Sequence, residues 1–239
     1  MKYVVLIIFF ISSFYNYAQT QNELNEQGLI LYARTDYIAA IEVLSKSIEL
    51  NAEDIEAHIL KGLCYFKLDE FKIALKEFNG LIEKHPDNAD LKVARGVIYM
   101  ENGKDWKAID DFVAATKINP GDHYAFNYLG VCFDDLSMIE QAIENYSIAI
   151  RLAPNVVDYH HNRGLLHEHM GNYREAEYDY RKMTELEPGN SEWHFYLGVI
   201  YLEDKKREKA CESFQKAAEL DDPDAITLFP ILCDEDLDF

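Results

Sequence analysis

Apolar positions repeat along this chain with the period of an α-helix, and polar turns break the pattern into short segments. The stretch from Ile55 to Leu68 carries apolar residues at helical spacing and contains no proline. A turn follows at Asp69-Glu70, and the pattern resumes as Phe71, Ala74, Leu75, Phe78 and Leu81-Ile82. Pro86 ends it, because proline cannot continue a helix and steers the residue before it away from α geometry. The pattern predicts two antiparallel helices joined by a tight turn.

That pair recurs in a fixed register. Gly28, Gly62, Gly96, Gly130, Gly164 and Gly198 are spaced by 34 residues every time. Twelve residues after each stands an alanine: Ala40, Ala74, Ala108, Ala142, Ala176 and Ala210. Four residues further on come Leu44, Phe78, Phe112, Tyr146, Tyr180 and Phe214. Pro86, Pro120, Pro154 and Pro188 keep the same beat. Gly103 and Gly171 share a second frame position, Gly121 and Gly189 a third, and Gly80 stands outside the register. Six frames fit: 21–54, 55–88, 89–122, 123–156, 157–190 and 191–224. A glycine inside a helix costs about 1 kcal/mol against alanine, so the register predicts close approach of helix backbones. The alanine is expected to face the glycine, with the large side chain filling the space beside them.

This register resembles the tetratricopeptide repeat family, whose signature includes the Gly, the Ala, the aromatic and the Pro. Frame five is nearest to it, with Gly171-Asn172-Tyr173-Arg174-Glu175-Ala176 as its turn and second-helix start. The family's Trp at the fourth position is replaced by Leu24, His58, Lys92, Phe126, His160 and His194. Frame one has Ala52 where Pro is expected, and frame six has Asp222 with Pro223 just after. What the resemblance implies is an all-α fold: a right-handed α-solenoid of six helix-turn-helix repeats filling 19–224. Residues 225–239 begin apolar and end acidic, which suits a short capping helix followed by an acidic tail.

The first residues have a different character. Met1-Lys2 supplies a positive end, Tyr3 to Ile11 is an unbroken apolar run, and small Ala18 precedes Gln19. The run falls well short of the ~20 residues a spanning helix needs. Residues 1–18 therefore read as a secretory signal peptide. An uncleaved anchor is the competing reading, and no Cys near the cut supports a lipoprotein anchor. The expectation is an exported protein of bacterial type, periplasmic or secreted, with no integral membrane segment after cleavage.

Charge narrows the partners. Lys and Arg number 23 against 43 Asp and Glu, a formal charge of −20. Such a surface repels phosphate backbones, so no nucleic-acid partner is expected. Glu42, Glu49, Glu77, Asp111, Glu144 and Glu219 recur on the second helices and read as a solvated outer face.

Chemistry is sparse. No phosphate-binding glycine loop, nucleophile elbow or His-Glu-x-x-His occurs. His161, Glu168 and His169 share a helix face two turns apart, with a rise of ~10 Å over seven residues. That is too far for a single ion without ligands from a neighbouring helix, so no metal, no cofactor and no catalytic residue is assigned. His58, His160 and His194 fall at an interhelical packing position, where partly buried imidazoles are expected.

Cysteine usage is sharper. Cys64 and Cys132 hold one frame position two repeats apart, which places them ~20 Å from each other at ~10 Å per helix layer. That exceeds the ~7 Å Cα limit for a disulfide, so both are expected to be free and buried. Cys211 opens the last second helix and Cys233 lies in the expected cap. Those elements should touch, and export favours oxidation. The alternatives are a Cys211–Cys233 bridge and two unpaired thiols.

Function follows as a class. The resemblance implies a protein-interaction scaffold that binds a peptide segment, or a component of an envelope assembly, in its concave groove. The alternative is a module for a non-protein ligand such as envelope glycan, held by exposed aromatics. In the family the first helix of each repeat lines the groove through its second, fifth, ninth and twelfth positions. Carried over, frames two and three present Ile59, Leu63, Phe66, Val93, Val97 and Met100, an apolar stretch. Later frames present Tyr124, Asn127, Val131, Asp134, Asp158, His161, Leu165, Glu168, Phe195 and Val199, with Tyr128 and Asn162 beside the fifth position. Polar tips in one row are wasted in a core, so Tyr124, Asn127, Tyr128 and His161 are the candidate contact residues, with Phe66 and Phe195. The mixture suits a segment carrying apolar anchors and some Lys or Arg.

Overall fold

The computed structural model describes residues 20–233. The expected signal peptide, 1–18, and the expected acidic tail, 234–239, lie outside the described residues. Among the described residues there are thirteen α-helices and no strand. They divide into two compact units, one ending at Pro120 and the next beginning at Gly121.

The first unit holds α1 (20–33), α2 (Tyr37–Leu50), α3 (Ile55–Lys67), α4 (Phe71–Lys84), α5 (Ala89–Glu101) and α6 (Asp105–Ile118). The second holds α7 (His123–Asp135), α8 (Ile139–Leu152), α9 (Val157–His169), α10 (Tyr173–Leu186), α11 (Ser191–Glu203), α12 (Arg207–Glu219) and α13 (Pro223–Leu232). Each 34-residue frame thus contains a first and a second helix, and within each unit α2 onward packs helix against the next. This is α-solenoid architecture.

Local chemistry sets the helix ends. Asp54, Asn88, Asp122 and Asn190 stand just before α3, α5, α7 and α11, and each accepts a bond from a first-turn backbone N–H. Val156 holds that place before α9 and supplies no such cap. The turn between first and second helix always passes through the left-handed region at one frame position. Its occupants are Thr35, Asp69, Ser137 and Lys205, with Gly103 and Gly171 in the remaining two frames. The shared position of those two glycines therefore has a backbone cause.

The cores are built from the same register. In the first unit Ala74, Phe78, Leu81, Leu91, Ala94 and Ile98 form one buried cluster. In the second, Ala176, Tyr180, Met183, Leu197, Ile200, Tyr201, Ala210 and Phe214 form another. Phe229, Leu232 and Cys233 pack against that cluster, so α13 covers the side of the last repeat. The structure joins Cys211 to Cys233, with Cα atoms 5.6 Å apart. Cys64 and Cys132 are free and buried, and burial pushes the Cys64 thiol up to about 11.

Two details differ from the sequence reading. The atoms nearest five of the six framework glycines belong to the residue sixteen positions on. A Cβ placed on Gly62 would lie 2.5 Å from the Phe78 ring, and one on Gly130 2.5 Å from the Tyr146 ring. That residue takes the room that the missing side chain leaves, whereas at Gly164 the nearest atom is Asp179 Cβ at 3.3 Å. The second correction concerns Asp111, which is buried at 4% exposure rather than solvated. Arg95 Nη2 donates to Asp111 Oδ1 at 2.6 Å, and Arg95 Nη1 donates to Asn79 Oδ1 at 2.7 Å.

That arrangement recurs one unit later. Arg163 Nη2 donates to Asp179 Oδ1 at 2.7 Å and Arg163 Nε to Oδ2 at 2.9 Å, while Arg163 Nη1 reaches Ser147 Oγ at 2.9 Å. His160 Nδ1 lies 2.9 Å from the same Asp179 Oδ1, and its Nε2 faces the Pro154 carbonyl at 3.0 Å. The guanidinium ties α9 to α10 and to α8 of the preceding repeat. The buried imidazole at the fourth frame position thus stands where the family has Trp, bonded to a carboxylate and to backbone.

Candidate partner-binding face

The first helices of the second unit, α7, α9 and α11, present one row of side chains. Tyr124 is 58% exposed. Asn127, Tyr128, His161 and Phe195 are half-buried, as is Phe66 in the first unit. Asn162 Nδ2 donates to Asn127 Oδ1 at 3.3 Å, which links α9 to α7 along the row. The His123 ring lies tilted beside Tyr124 with ring centroids 4.2 Å apart. His123 Nδ1 lies 2.7 Å from Tyr159 Oη, whose phenol is held well above the usual range by burial.

His161 is the centre of a denser group. Its ring lies 5.4 Å from Trp193 and 6.3 Å, stacked, from Tyr196. Trp193 and Tyr196 are 6.1 Å apart, and Tyr196 lies 6.1 Å from Tyr180. Each polar tip ends on a carboxylate. Trp193 Nε1 donates to Glu187 Oε2 at 2.7 Å, Tyr196 Oη to Glu192 Oε1 at 2.8 Å, and Tyr180 Oη to Glu168 Oε2 at 2.8 Å. The bond to Glu192, with burial, raises the Tyr196 phenol above its ordinary range. Burial, then the bond to Glu168, raises the Tyr180 phenol still further. These tyrosines stay neutral donors, and their bonds fix the rings in place.

The two phenylalanines behave differently from the polar row. Phe195 packs toward the core, its ring 5.6 Å from Phe214. Phe66 meets Phe71 edge to face at 5.6 Å, and Lys67 Nζ sits 5.3 Å from its centroid. Trp193, Tyr196 and Glu192 complete the group around His161, and the sequence reading missed them. The signal was present for Tyr196, which holds the same frame position as Tyr128 and Asn162.

Charge on these helices is one-sided. Asp134, Asp135, Asp158, Glu168, Glu192 and Glu203 stand on α7, α9 and α11, and Arg163 is the single Lys or Arg there. Arg163 is committed to Asp179. Burial raises the Asp134 carboxyl above its ordinary range. Among the described residues no group of three or more His, Cys, Asp or Glu is placed to hold a metal ion, and no helix is long and apolar enough to cross a membrane.

Comparison with known proteins agrees with this architecture. The family model for the N-terminal TPR repeats region of Psidin matches residues 63–190, more than half of the chain. The tetratricopeptide repeat model matches residues 191–224. Among solved structures, pilF of Pseudomonas aeruginosa is 17% identical, with 90% of this chain and 99% of that one covered at a TM-score of 0.72. YrrB, described as a TPR protein with an unusual peptide-binding site, is 24% identical, with 78% and 97% covered at a TM-score of 0.63. A tetratricopeptide repeat protein from Parabacteroides merdae is 17% identical, with 90% and 99% covered at a TM-score of 0.55. No curated protein matches. With a 34-residue register, paired helices in every frame and matching family models, this chain belongs to the tetratricopeptide repeat family.

Proposed function

We propose that this protein is a non-enzymatic interaction scaffold, and that the face formed by α7, α9 and α11 binds a protein segment carrying apolar anchors and Lys or Arg. One observation carries the reading. Six carboxylates and an aromatic group stand on three adjacent helices whose single Arg is already paired. Tyrosine and tryptophan offer large area at low entropic cost, and carboxylates held beside them favour a cation laid over a ring. The likeness to YrrB, a peptide binder by its description, supports a protein partner for this chain too. Glycan binding gains no support from the comparisons. Export to an oxidising compartment remains part of the proposal, and it is supported by the apolar run after Lys2 and by the Cys211–Cys233 pairing.

Replacing Tyr124, Asn127, Tyr128 and His161 together by alanine tests the face. Partner affinity is expected to fall at least tenfold, roughly the effect of losing one or two anchor residues. The melting temperature, followed by circular dichroism, is expected to stay within a few degrees. Full retention of binding, with loss instead from charge reversal at Glu42, Glu144 and Glu219, would place the partner on the second helices.

A further inference from the structure

Gly80, the glycine outside the repeat register, sits in the middle of α4 and has no packing reason to be there. A Cβ at that position would meet nothing within 4 Å. It therefore carries the ordinary cost of a helical glycine, about 1 kcal/mol against alanine, without the close approach that explains Gly62 or Gly130. What it leaves is space. Gly80 lies in the wall of an open cleft of about 460 Å³ bounded by the end of α2, by α3 and by α4. That volume falls within the few hundred to ~1,000 Å³ typical of ligand sites. Ile48, Ile73 and Leu81 supply its apolar lining, and Lys76 and Lys84 its cationic rim. Ile73 is 43% exposed, a large apolar side chain left open to solvent.

The charge of the cleft opposes that of the chain. The protein carries a formal charge of −20, yet α4 places Lys72, Lys76 and Lys84 along one line, with Gly80 in the step between the last two. Four residues of helix rise ~6 Å, and two residues of extended chain rise ~6.6 Å. Every second residue of an extended segment therefore keeps step with this line, so carboxylates four residues apart reach Lys76 and Lys84 with the residue midway between them over Gly80. Two acidic groups of the protein face the same region. Glu77 is met by His58 Nδ1 at 2.6 Å and by Lys61 Nζ at 4.0 Å. Glu53 is met by His85 Nε2 at 2.9 Å and by Lys84 Nζ at 3.9 Å. Lys76 has no carboxylate partner among the described residues.

We propose that this cleft is a second docking site, taking an extended acidic segment of a partner protein with a large apolar side chain laid over Gly80. Its carboxylates meet Lys76 and Lys84, and its apolar residue fills the space between Ile48, Ile73 and Leu81. The site is independent of the face on α7, α9 and α11, and its preference is opposite in sign.

The test is fluorescence anisotropy with a labelled Asp-Ser-Leu-Ser-Asp peptide, whose two Asp and central Leu share one face, titrated into the full chain near physiological ionic strength. Saturable binding is expected, weakened at least tenfold by Gly80→Leu and by Lys76→Glu, and unchanged in the Tyr124, Asn127, Tyr128 and His161 alanine variant. The Lys-Ser-Leu-Ser-Lys peptide is expected not to bind. Gly80→Leu stands in open space on a helix, so its melting temperature should match or exceed that of the parent, and loss of binding there cannot come from unfolding. The proposal fails if no saturable binding occurs, or if Gly80→Leu binds the peptide as well as the parent does. Binding of dodecanoate that the peptide cannot displace would overturn it in favour of a fatty acid. Self-association of the chain abolished by Lys76→Glu would overturn it in favour of a second copy.

Discussion

Replacing Asp179 by alanine is expected to destabilise the second unit by about 3–5 kcal/mol, the usual cost of leaving a buried charge without its partner. The Asp179 side chain is fully buried, Arg163 is 15% exposed and His160 2%. Removing the carboxylate strips the guanidinium of two bonds and the imidazole of one. A repeat domain holds only ~5–15 kcal/mol in reserve, so the loss should appear as a lowered urea midpoint by circular dichroism. Asp111→Ala is expected to cost less, because Arg95 is 20% exposed and no imidazole shares that carboxylate. Replacing Arg163, His160 and Asp179 together with apolar residues of similar volume should recover much of the loss. Equal effects at Asp111 and Asp179 would show that the histidine adds nothing to the buried network.

Gly130→Ala is the second large effect. An added methyl would lie 2.5 Å from the Tyr146 ring, and that ring, only 2% exposed, has nowhere to move. Overpacking of this kind costs about 1–3 kcal/mol, against which the better helix propensity of alanine returns at most ~1 kcal/mol. Gly164→Ala is the built-in control. There the nearest atoms are Asp179 Cβ at 3.3 Å and the Tyr180 ring at 3.6 Å, a looser fit. Thermal melts should show a clear loss for Gly130→Ala and a change near zero for Gly164→Ala. The reverse order would contradict the view that the ring, rather than the facing alanine, makes glycine necessary.

Much of this fold was legible because a repeat states its own rules several times. One glycine in a helix is ambiguous, whereas Gly62, Gly96 and Gly130 at equal spacing identify a packing position whatever the neighbouring residues are. The same redundancy marks the end of four of the six second helices through Pro86, Pro120, Pro154 and Pro188. Which atom fills the space over the glycine was not legible, since spacing gives the face of a helix but not the reach of a ring. Asp111 was misread for a related reason. Its place on α6 is compatible with an outer surface, and its burial depends on Arg95 reaching across from α5.

The candidate site was legible in outline only. Position in the frame selected Tyr124, Asn127, Tyr128 and His161 because a polar tip repeated along one row has no use in a core. It could not show that Trp193 and Tyr196 close around His161, since their contact depends on side-chain direction. Nor could it show that the hydroxyl of Tyr180, a framework residue, emerges to bond Glu168. Phe195 illustrates the converse: its frame position matches the row, but its ring turns toward Phe214.

The central claim is that a partner segment lies on the first helices of the second unit. Hydrogen–deuterium exchange of the full chain, alone and with its co-purified partner, tests this most directly. The expected result is added protection in peptides from α7, α9 and α11, centred on Tyr124–Tyr128, His161–Asn162 and Trp193–Tyr196, with α8, α10 and α12 unchanged. Protection confined to α8, α10 and α12, with the first helices exchanging as in the free protein, would contradict it.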